Sequence, residues 1–379
     1  MVANEYLTIF QNCPVFQVIT DQCKFFDKYE TKSRPVEIQA SKFKIMTKHI
    51  HYSILDLAVV GQDISHSQVF KNTVELAQQG EEMGYKRLWL AEHHNMVSIA
   101  SSATTVLMSH VAAKTDRIRI GSGGIMLPNH SPLIVAEQFG TLGSLYPDRI
   151  DMGLGRAPGT DQVTAHAIRS DRMNSVFKFP HEIDEIQRYF NNSLKTTKVR
   201  ATVAEGVNVP MYVLGSSIDS AHVAAEKGLP YVFASHFAPG QLFEAMEIYY
   251  REFQPSAYLE EPYTIAGINV TAAGTNEEAE KLSTSSLRMM VGVLTGNLDY
   301  LQKPVEMDAE LREVRDNPAL QRMLKYSFVG DRQHIKQKTE EFLKDTGVDE
   351  VIVASHIYHQ EDRLKSYRIF SEVMQEINS

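Results

Sequence analysis

The stretch Arg87-Leu88-Trp89-Leu90-Ala91-Glu92-His93-His94-Asn95-Met96 changes character at its middle. Leu88 to Ala91 form a short apolar run with no helical period, as does a strand covered on both faces. Glu92, His93, His94 and Asn95 then put a carboxylate, two imidazoles and an amide at the carboxyl end of that strand. In parallel α/β proteins, ligands and chemistry collect at that end. The fold turns on whether strands and helices alternate on both sides of this stretch.

They do. Before it come a strand at 52–57 and a helix at about 67–83, with Ser67 as its cap and Gly84 as its stop. After it comes a helix over 101–114, with Val106, Leu107, His110 and Val111 on one side. The third strand spans 118–126, and Pro132 opens the next helix. The fourth strand is 149–156, followed by two helical pieces at about 161–171 and 181–191 with a break at Phe177-Lys178-Phe179-Pro180. Strands at 210–214, 231–234, 263–272 and 350–354 follow, with helices over 219–227, 239–253, 331–345 and 361–377. Eight strands, each followed by helical sequence, predict an α/β fold, a (β/α)8 TIM barrel. The seventh and eighth strands are far apart, so 274–328 reads as a large insertion, of the kind that serves as a lid or a partner surface. A doubly wound two-domain fold lacks support, because no Gly-x-Gly-x-x-Gly follows the first strand.

Residues 1–45 show no sustained period, and the regular pattern begins at Met46. The preferred reading is an N-terminal extension at 1–45, upstream of a natural start at Met46, followed by one barrel domain over 46–379. The other is an appendage that packs on the barrel. Composition is ordinary for a globular chain, 43% hydrophobic and 22% charged, and the net charge of −9 argues against a nucleic-acid partner. The two cysteines, Cys13 and Cys23, have neither a zinc nor a redox spacing, and none follows them. A reducing, cytoplasmic location is expected. No apolar run approaches the roughly 20 residues of a membrane helix.

Set side by side, the strand ends form a pattern. The third strand offers Gly121, Gly123 and Gly124, with no side chain to block a flat ligand. The fourth ends in Gly153, Gly155 and Arg156, whose guanidinium suits phosphate. The fifth ends in Gly215-Ser216-Ser217 at a helix start, with Ser220 one turn later, a setting that favours an anion. Together these make a phosphate clamp for an otherwise flat cofactor. Each piece also has a plainer reading. The glycines relieve crowding, Arg156 pairs with Asp151 or Asp161, and Ser217 or Asp219 caps a helix. His236 and His356, at the sixth and eighth strand ends, hydrogen-bond loop backbone. His93 and His94 point apart on a strand, and no metal-ligand set is completed.

Ala91-Glu92-His93-His94, Gly121-Ser122-Gly123-Gly124-Ile125-Met126-Leu127-Pro128, Gly153-Leu154-Gly155-Arg156, and Gly215-Ser216-Ser217 followed by Gly228-Leu229-Pro230 resemble, in order and separation, the bacterial luciferase family of flavin-dependent monooxygenases. The resemblance covers about 50–377. It implies a barrel that binds reduced FMN, delivered by a separate flavin reductase, and that uses dioxygen on a small organic substrate. His93 matches a histidine that supports the reaction with dioxygen. Gly123 and Gly124 match a pair joined by a cis peptide beneath the flavin ring, and Met126 closes that strand among the cofactor contacts. Arg156 matches the arginine on the FMN phosphate, and Ser217 and Ser220 match hydroxyls on it, with Gly215 and Ser216 beside them. Ser216 stands where a light-emitting member has a carboxylate, and Gly155 where it has a reactive cysteine. These departures set the chain apart from the light emitters and leave oxygenation open. Glu92 or Asn95 would orient the His93 imidazole. Three other readings compete: a deazaflavin-dependent hydride-transfer oxidoreductase, a non-catalytic flavin-binding protein, and a non-flavin barrel acting on a phosphorylated metabolite. The helices after strands two and three, with Ala103, Ala112 and Ala136, could form a homodimer face. No motif names the substrate.

Overall fold

The computed structural model describes residues 48–379 apart from 158, 170–171 and 192–197. The extension expected at 1–45 lies outside the described residues. Among these, every strand pairing is parallel. The elements are β1 (His51–Asp56), α1 (His66–Glu82), β2 (Arg87–Leu90), α2 (Thr104–Ala112), β3 (Arg119–Ser122), β4 (Ile125–Met126), α3 (Pro132–Leu145) and β5 (Ile150–Gly155). Then come α4 (Gln162–Ile168), α5 (Arg172–Phe190), β6 (Met211–Gly215), α6 (Ile218–Lys227), β7 (Tyr231–Phe233), α7 (Leu242–Glu252) and β8 (Thr264–Ala272). The chain finishes with α8 (Asn276–Thr295), α9 (Ala309–Arg315), α10 (Pro318–Met323), β9 (Ser327–Gly330), α11 (Arg332–Thr346), β10 (Glu350–Ala354) and α12 (Gln360–Ile377).

The order β1-β2-β3-β5-β6-β7-β8-β10 closes on itself, because β10 pairs with both β8 and β1. This is the expected (β/α)8 barrel. The period of two along each strand sorts its residues. Ile54, Leu88, Leu90 and Ile120 point outward into the main core under the helices. Leu55, Trp89, Val232, Ile265 and Ile352 point inward and fill the barrel.

Below that inner layer, at the amino ends of the strands, lies a buried ionic network. Arg87, Asp151 and Glu350 are all essentially inaccessible. Arg87 Nη1 donates to Asp151 Oδ2 at 2.8 Å and to Tyr212 Oη at 2.7 Å, and Nη2 donates to Glu350 Oε2 at 3.2 Å. Arg87 Nε lies 3.0 Å from Glu350 Oε1, near enough for ionic attraction though not aligned as a hydrogen bond. Trp89 Nε1 and Arg119 complete Asp151, and Tyr263 Oη and Ser53 Oγ complete Glu350.

Four local expectations are corrected. The cap of α1 is Ser65, two residues before Ser67, and it accepts from the Gln68 N–H. Val106 on α2 faces solvent, while Met108 shares the buried side with Leu107 and Val111. Helix α5 runs straight through Pro180. Proline removes a helix bond at a penalty of about 3 kcal/mol, but Phe179, Ile183 and Ile186 are fully buried and hold the helix against the core. The third strand is broken between β3 and β4, at Gly123-Gly124.

The insertion folds into α8, α9, α10 and the extra strand β9, with its own apolar centre of Leu287, Met290, Val291, Met307, Leu320 and Met323. Strand β9 pairs with 269–272 of β8. Asn269 N–H donates to the Tyr326 carbonyl on the same β8 edge where the Tyr263 carbonyl accepts from Tyr231. So β9 takes over that edge above the point where β7 stops, and the sheet is carried past the barrel rim. Leu301 exchanges backbone bonds with the loop after β1, accepting from Gln62 N–H and donating to the Val60 carbonyl. The insertion is thereby tied across the mouth.

Candidate functional site

Strand β2 sets the site. Trp89 and Ala91 face the barrel interior, and two residues further on His93 continues that row. Glu92 and His94 belong to the opposite face.

His93 Nδ1 lies 3.2 Å from the Gly159 carbonyl. A carbonyl only accepts, so Nδ1 carries the proton and Nε2 is the basic nitrogen. Burial holds the imidazole below the ordinary histidine range, against the Gly159 hydrogen bond and the nearby Glu92 charge. His93 is therefore neutral near pH 7. The orienting group is Gly159 and not Glu92 or Asn95. Asn95 Nδ2 reaches Asp161 at 3.2 Å instead. Gly159 has φ +64°, and a Cβ there would sit 2.7 Å from the Glu92 carbonyl oxygen, so only glycine fits.

Glu92 is buried and clamps the next strand. Its carboxylate accepts from the Met126 N–H at 3.0 Å and from Asn129 Nδ2 at 3.1 Å, and the Nε2 atoms of His94 and His130 both lie 2.9 Å away. Burial pushes its pKa up, but the His130 and His94 hydrogen bonds and the Met126 amide outweigh that and hold it at about 2. His94 is thus a supporting residue, placed with Glu92 behind the wall that carries His93.

The Gly123–Gly124 peptide is cis. A Cβ on Gly123 would lie 2.8 Å from Leu55 Cδ1, and one on Gly124 would lie 2.8 Å from the Gly153 carbonyl oxygen. The segment is pressed onto the barrel's inner layer as a bare backbone ledge. Gly121 does something else: its missing side chain makes room for the Trp89 indole, whose Nε1 would be 2.4 Å from a Cβ. Gly153 likewise allows close approach of β5 to the Ser122 carbonyl. Met126 lies over Gly155 and Gly159, its Cε 2.8 Å from where a Gly155 Cβ would be.

At the ends of β5 and β6, Arg156 Nη2 donates to Asp219 Oδ2 at 2.8 Å, so the partner is neither Asp151 nor Asp161. Arg156 is about one-third exposed and Asp219 more so (35% and 60%), so the pair is open to exchange for another anion. Ser217 is the N-cap of α6, yet its side chain makes no capping bond. Ser216 is exposed. Ser220 is buried, its hydroxyl donating to the Ser217 carbonyl at 2.7 Å and lying 3.0 Å from Tyr231 Oη. Gly215 leaves the space for it, since a Cβ there would meet Ser220 Oγ at 1.9 Å. In this arrangement Ser220 braces Ser217 from behind. The chemistry of this end fits a phosphate: a partly exposed guanidinium, two hydroxyls and a helix N-terminus.

On the other rim, His236 and His356 do not hydrogen-bond loop backbone through Nδ1. In both, that atom is buried without a partner among the described residues. His236 rests on Gly267, where a Cβ would be 2.2 Å from its Nδ1. Burial pushes both imidazoles down, to about 4 for His236, helped by His93, and to about 3 for His356, helped by Arg363 and His236. Gly159, His130 and Asn269 went unread in the sequence, and Asp219 was read only as a helix cap. Asn269 alone had a signal, two positions past Gly267 on the inward face of a predicted strand.

Residues 50–350 match the family described as luciferase-like monooxygenase. A luciferase-like monooxygenase of Escherichia coli (strain K12) is 42% identical over 330 residues, covering 87% of this chain and 98% of the relative. An N-acetyl-S-alkylcysteine monooxygenase of Bacillus subtilis (strain 168) is 31% identical over 332 residues, covering 86% of this chain and 98% of its own. The crystal structure of apo-MsnO8 superposes with a TM-score of 0.78 at 30% identity, over 86% of this chain and 99% of that one.

Proposed function

The chain belongs to the luciferase-like monooxygenase family, and from that premise we propose that it is an FMN-dependent monooxygenase using reduced FMN and dioxygen on a small organic substrate. A separate flavin reductase would deliver the reduced cofactor. The observation that carries this reading is a neutral His93, fixed through Nδ1 by Gly159, on the same rim as the side-chain-free Gly123–Gly124 ledge and the Arg156 end.

Arg156, Ser216, Ser217 and the first N–H groups of α6 would hold the phosphate, with Asp219 releasing Arg156. Gly123, Gly124 and Met126 would support the ring, and Glu92 fixes their height through the Met126 amide. The bound reduced flavin would supply two electrons, one oxygen atom passing to the substrate and the other leaving as water. His93 takes up a proton at Nε2 and returns it, while Gly159 keeps the ring from turning. Apolar side chains below the ledge exclude water from beneath, and the insertion covers the mouth from above. The N-acetyl-S-alkylcysteine relative makes such thioethers the first substrates to assay. Ala112 and Ala136, expected on a dimer face, are buried in the chain's own core; exposed Ala103 and Val106 near and on α2 and Ile134 on α3 favour pairing of that face with a second copy.

The test is titration with reduced FMN, then measurement of dioxygen uptake against product and peroxide. His93→Ala should bind FMN as the parent does but lose coupled product formation by about 100-fold or more, with peroxide released instead. Equal coupling in the variant, or hydride transfer with a deazaflavin and none with FMN, would sink the assignment.

A further inference from the structure

The His236 imidazole lies inside the barrel. Along β8, Ala266 and Ile268 face the outer core and Ile265 faces the inner layer, so Gly267 faces inward as well, in register with inward Ile352. A Cβ on Gly267 would meet His236 Nδ1 at 2.2 Å, Cγ at 3.1 Å and Cε1 at 3.2 Å. The ring therefore takes the space of the missing side chain, above Ile265. Strands β2 and β7 lie four places apart in the closed ring, so His236 stands across the mouth from His93.

The turn that carries His236 is tied to β8 on both sides of Gly267. Buried Ser235 donates from Oγ to the Gly267 carbonyl at 2.6 Å, and Asn269 Nδ2 donates to the His236 carbonyl at 2.7 Å. The ring is thus held in one place, and its tautomer follows from what it faces. Nδ1 is buried without a partner among the described residues and points at the Gly267 Cα, where a hydrogen replaces the Cβ. A C–H donates weakly and cannot accept. Nδ1 therefore carries the lone pair, and a neutral ring has its proton on Nε2. Burial keeps the ring neutral, helped by the nearby His93. The residue is only partly buried, and Nε2, which has no partner among the described residues, is not one of the buried atoms. Nε2 is the open edge of a ring that sits in the mouth. His93 has the opposite tautomer, with its proton on Nδ1.

We propose that His236 is a second functional histidine of this site, whose Nε2–H enters the mouth opposite His93 as a hydrogen-bond donor for an acceptor oxygen, on the flavin ring or on the organic substrate. The two histidines then divide the work: His93 offers a basic nitrogen and His236 an N–H. A purely apolar side chain would fill the space over Gly267 without burying an unpartnered nitrogen, at lower cost to the fold. What the imidazole adds there is Nε2. The donor follows from Gly267 alone; the identity of its partner rests on the monooxygenase reading.

The test is nitrogen NMR on the full chain with isotope-labelled histidines, the His236 signals being identified by their loss in His236→Gln. The free chain at pH 7 should show His236 with its proton on Nε2. FMN is then added, followed by N-acetyl-S-methylcysteine. A shift of the His236 signals on the first addition assigns the acceptor to the flavin, and a shift only on the second assigns it to the substrate. Variants check the atom. A glutamine amide nitrogen reaches the position of Nε2 and an asparagine amide nitrogen that of Nδ1. His236→Gln should therefore keep the affinity for whichever ligand moved the signals to within about threefold, and His236→Asn should lose about tenfold, the worth of one hydrogen bond. Gly267→Ala, which keeps the imidazole and displaces it through Nδ1, should lose as much, and it serves if His236→Asn does not fold. A proton on Nδ1 overturns the inference. So do His236 signals that neither addition moves although FMN binds, and so does equal binding by the glutamine and asparagine variants. A chain that binds no FMN but carries the proton on Nε2 keeps the donor and overturns the flavin reading instead.

Discussion

At the amino end of the barrel, the carboxylates of Asp151 and Glu350 are buried and surrounded by donors from Arg87, Arg119, Trp89, Tyr263 and Ser53. At the carboxyl end of the barrel, His236 Nδ1, His356 Nδ1 and Asn269 Oδ1 are buried with no partner among the described residues. Both ends are built from the same inward-facing positions, alternating along each strand. One end is a set of buried charge pairs that stabilises the barrel, with Arg87 Nε its one atom held by ionic attraction and not by an aligned hydrogen bond among the described residues. The other leaves several buried polar atoms without a partner among the described residues. Natural proteins keep such local violations where function needs them.

The contrast predicts opposite responses to removal of a polar group. Glu350→Ala should lower stability by about 3–5 kcal/mol, because Arg87 loses a buried counter-charge. His236→Phe, which deletes an unpartnered nitrogen at the mouth, should change stability by less than about 1 kcal/mol or raise it, while impairing turnover. Urea denaturation of both variants measures the difference. Comparable losses at the two ends would break the comparison.

Next in size is the anion end. Arg156→Ala should weaken FMN binding by about tenfold to a hundredfold, the worth of one or two charge-assisted hydrogen bonds. Asp219→Asn should do the reverse by a few-fold, since it frees the guanidinium that Asp219 now holds. Fluorescence titration reads both. Tighter binding in Arg156→Ala would remove the phosphate from this rim.

The amino end was less legible in the sequence than the carboxyl end. Alternation of apolar runs with amphipathic segments made the barrel readable, and His93, Gly123 and Arg156 stood out because strand ends are where such residues gather. Arg87, Asp151 and Glu350 gave no signal: they meet only after β2, β5 and β10 close the ring, at sequence separations no local period reports. The same is true of Glu92, whose partners Asn129 and His130 lie beyond the broken third strand. The glycines misled for a related reason. A missing side chain looks the same whether it admits a ligand or, as at Gly121, a tryptophan from the neighbouring strand. Pro180 misled because burial of Phe179 and Ile183 outweighs a lost helix bond, and burial is a tertiary fact.

The smallest effect expected is also the most direct test of the carboxyl end. His236 and His356 have native pKa values of about 4 and about 3, pushed down first by burial. In the unfolded chain each titrates near 6.5. Between roughly pH 6.5 and 4 the unfolded state therefore binds protons that the native state refuses. Stability must fall as pH falls through that window, by about 1.4 kcal/mol per pH unit for each histidine. Glu92 does not confuse the measurement, because its depressed pKa withdraws stability only below the ordinary carboxylate range, under about pH 4.5. Urea midpoints taken at pH 6.0, 5.5 and 5.0 isolate the imidazoles. His356→Gln should reduce the slope by one proton's worth. An unchanged slope would mean that His356 is protonated in the native chain, and the carboxyl end would then be as fully compensated as the amino end.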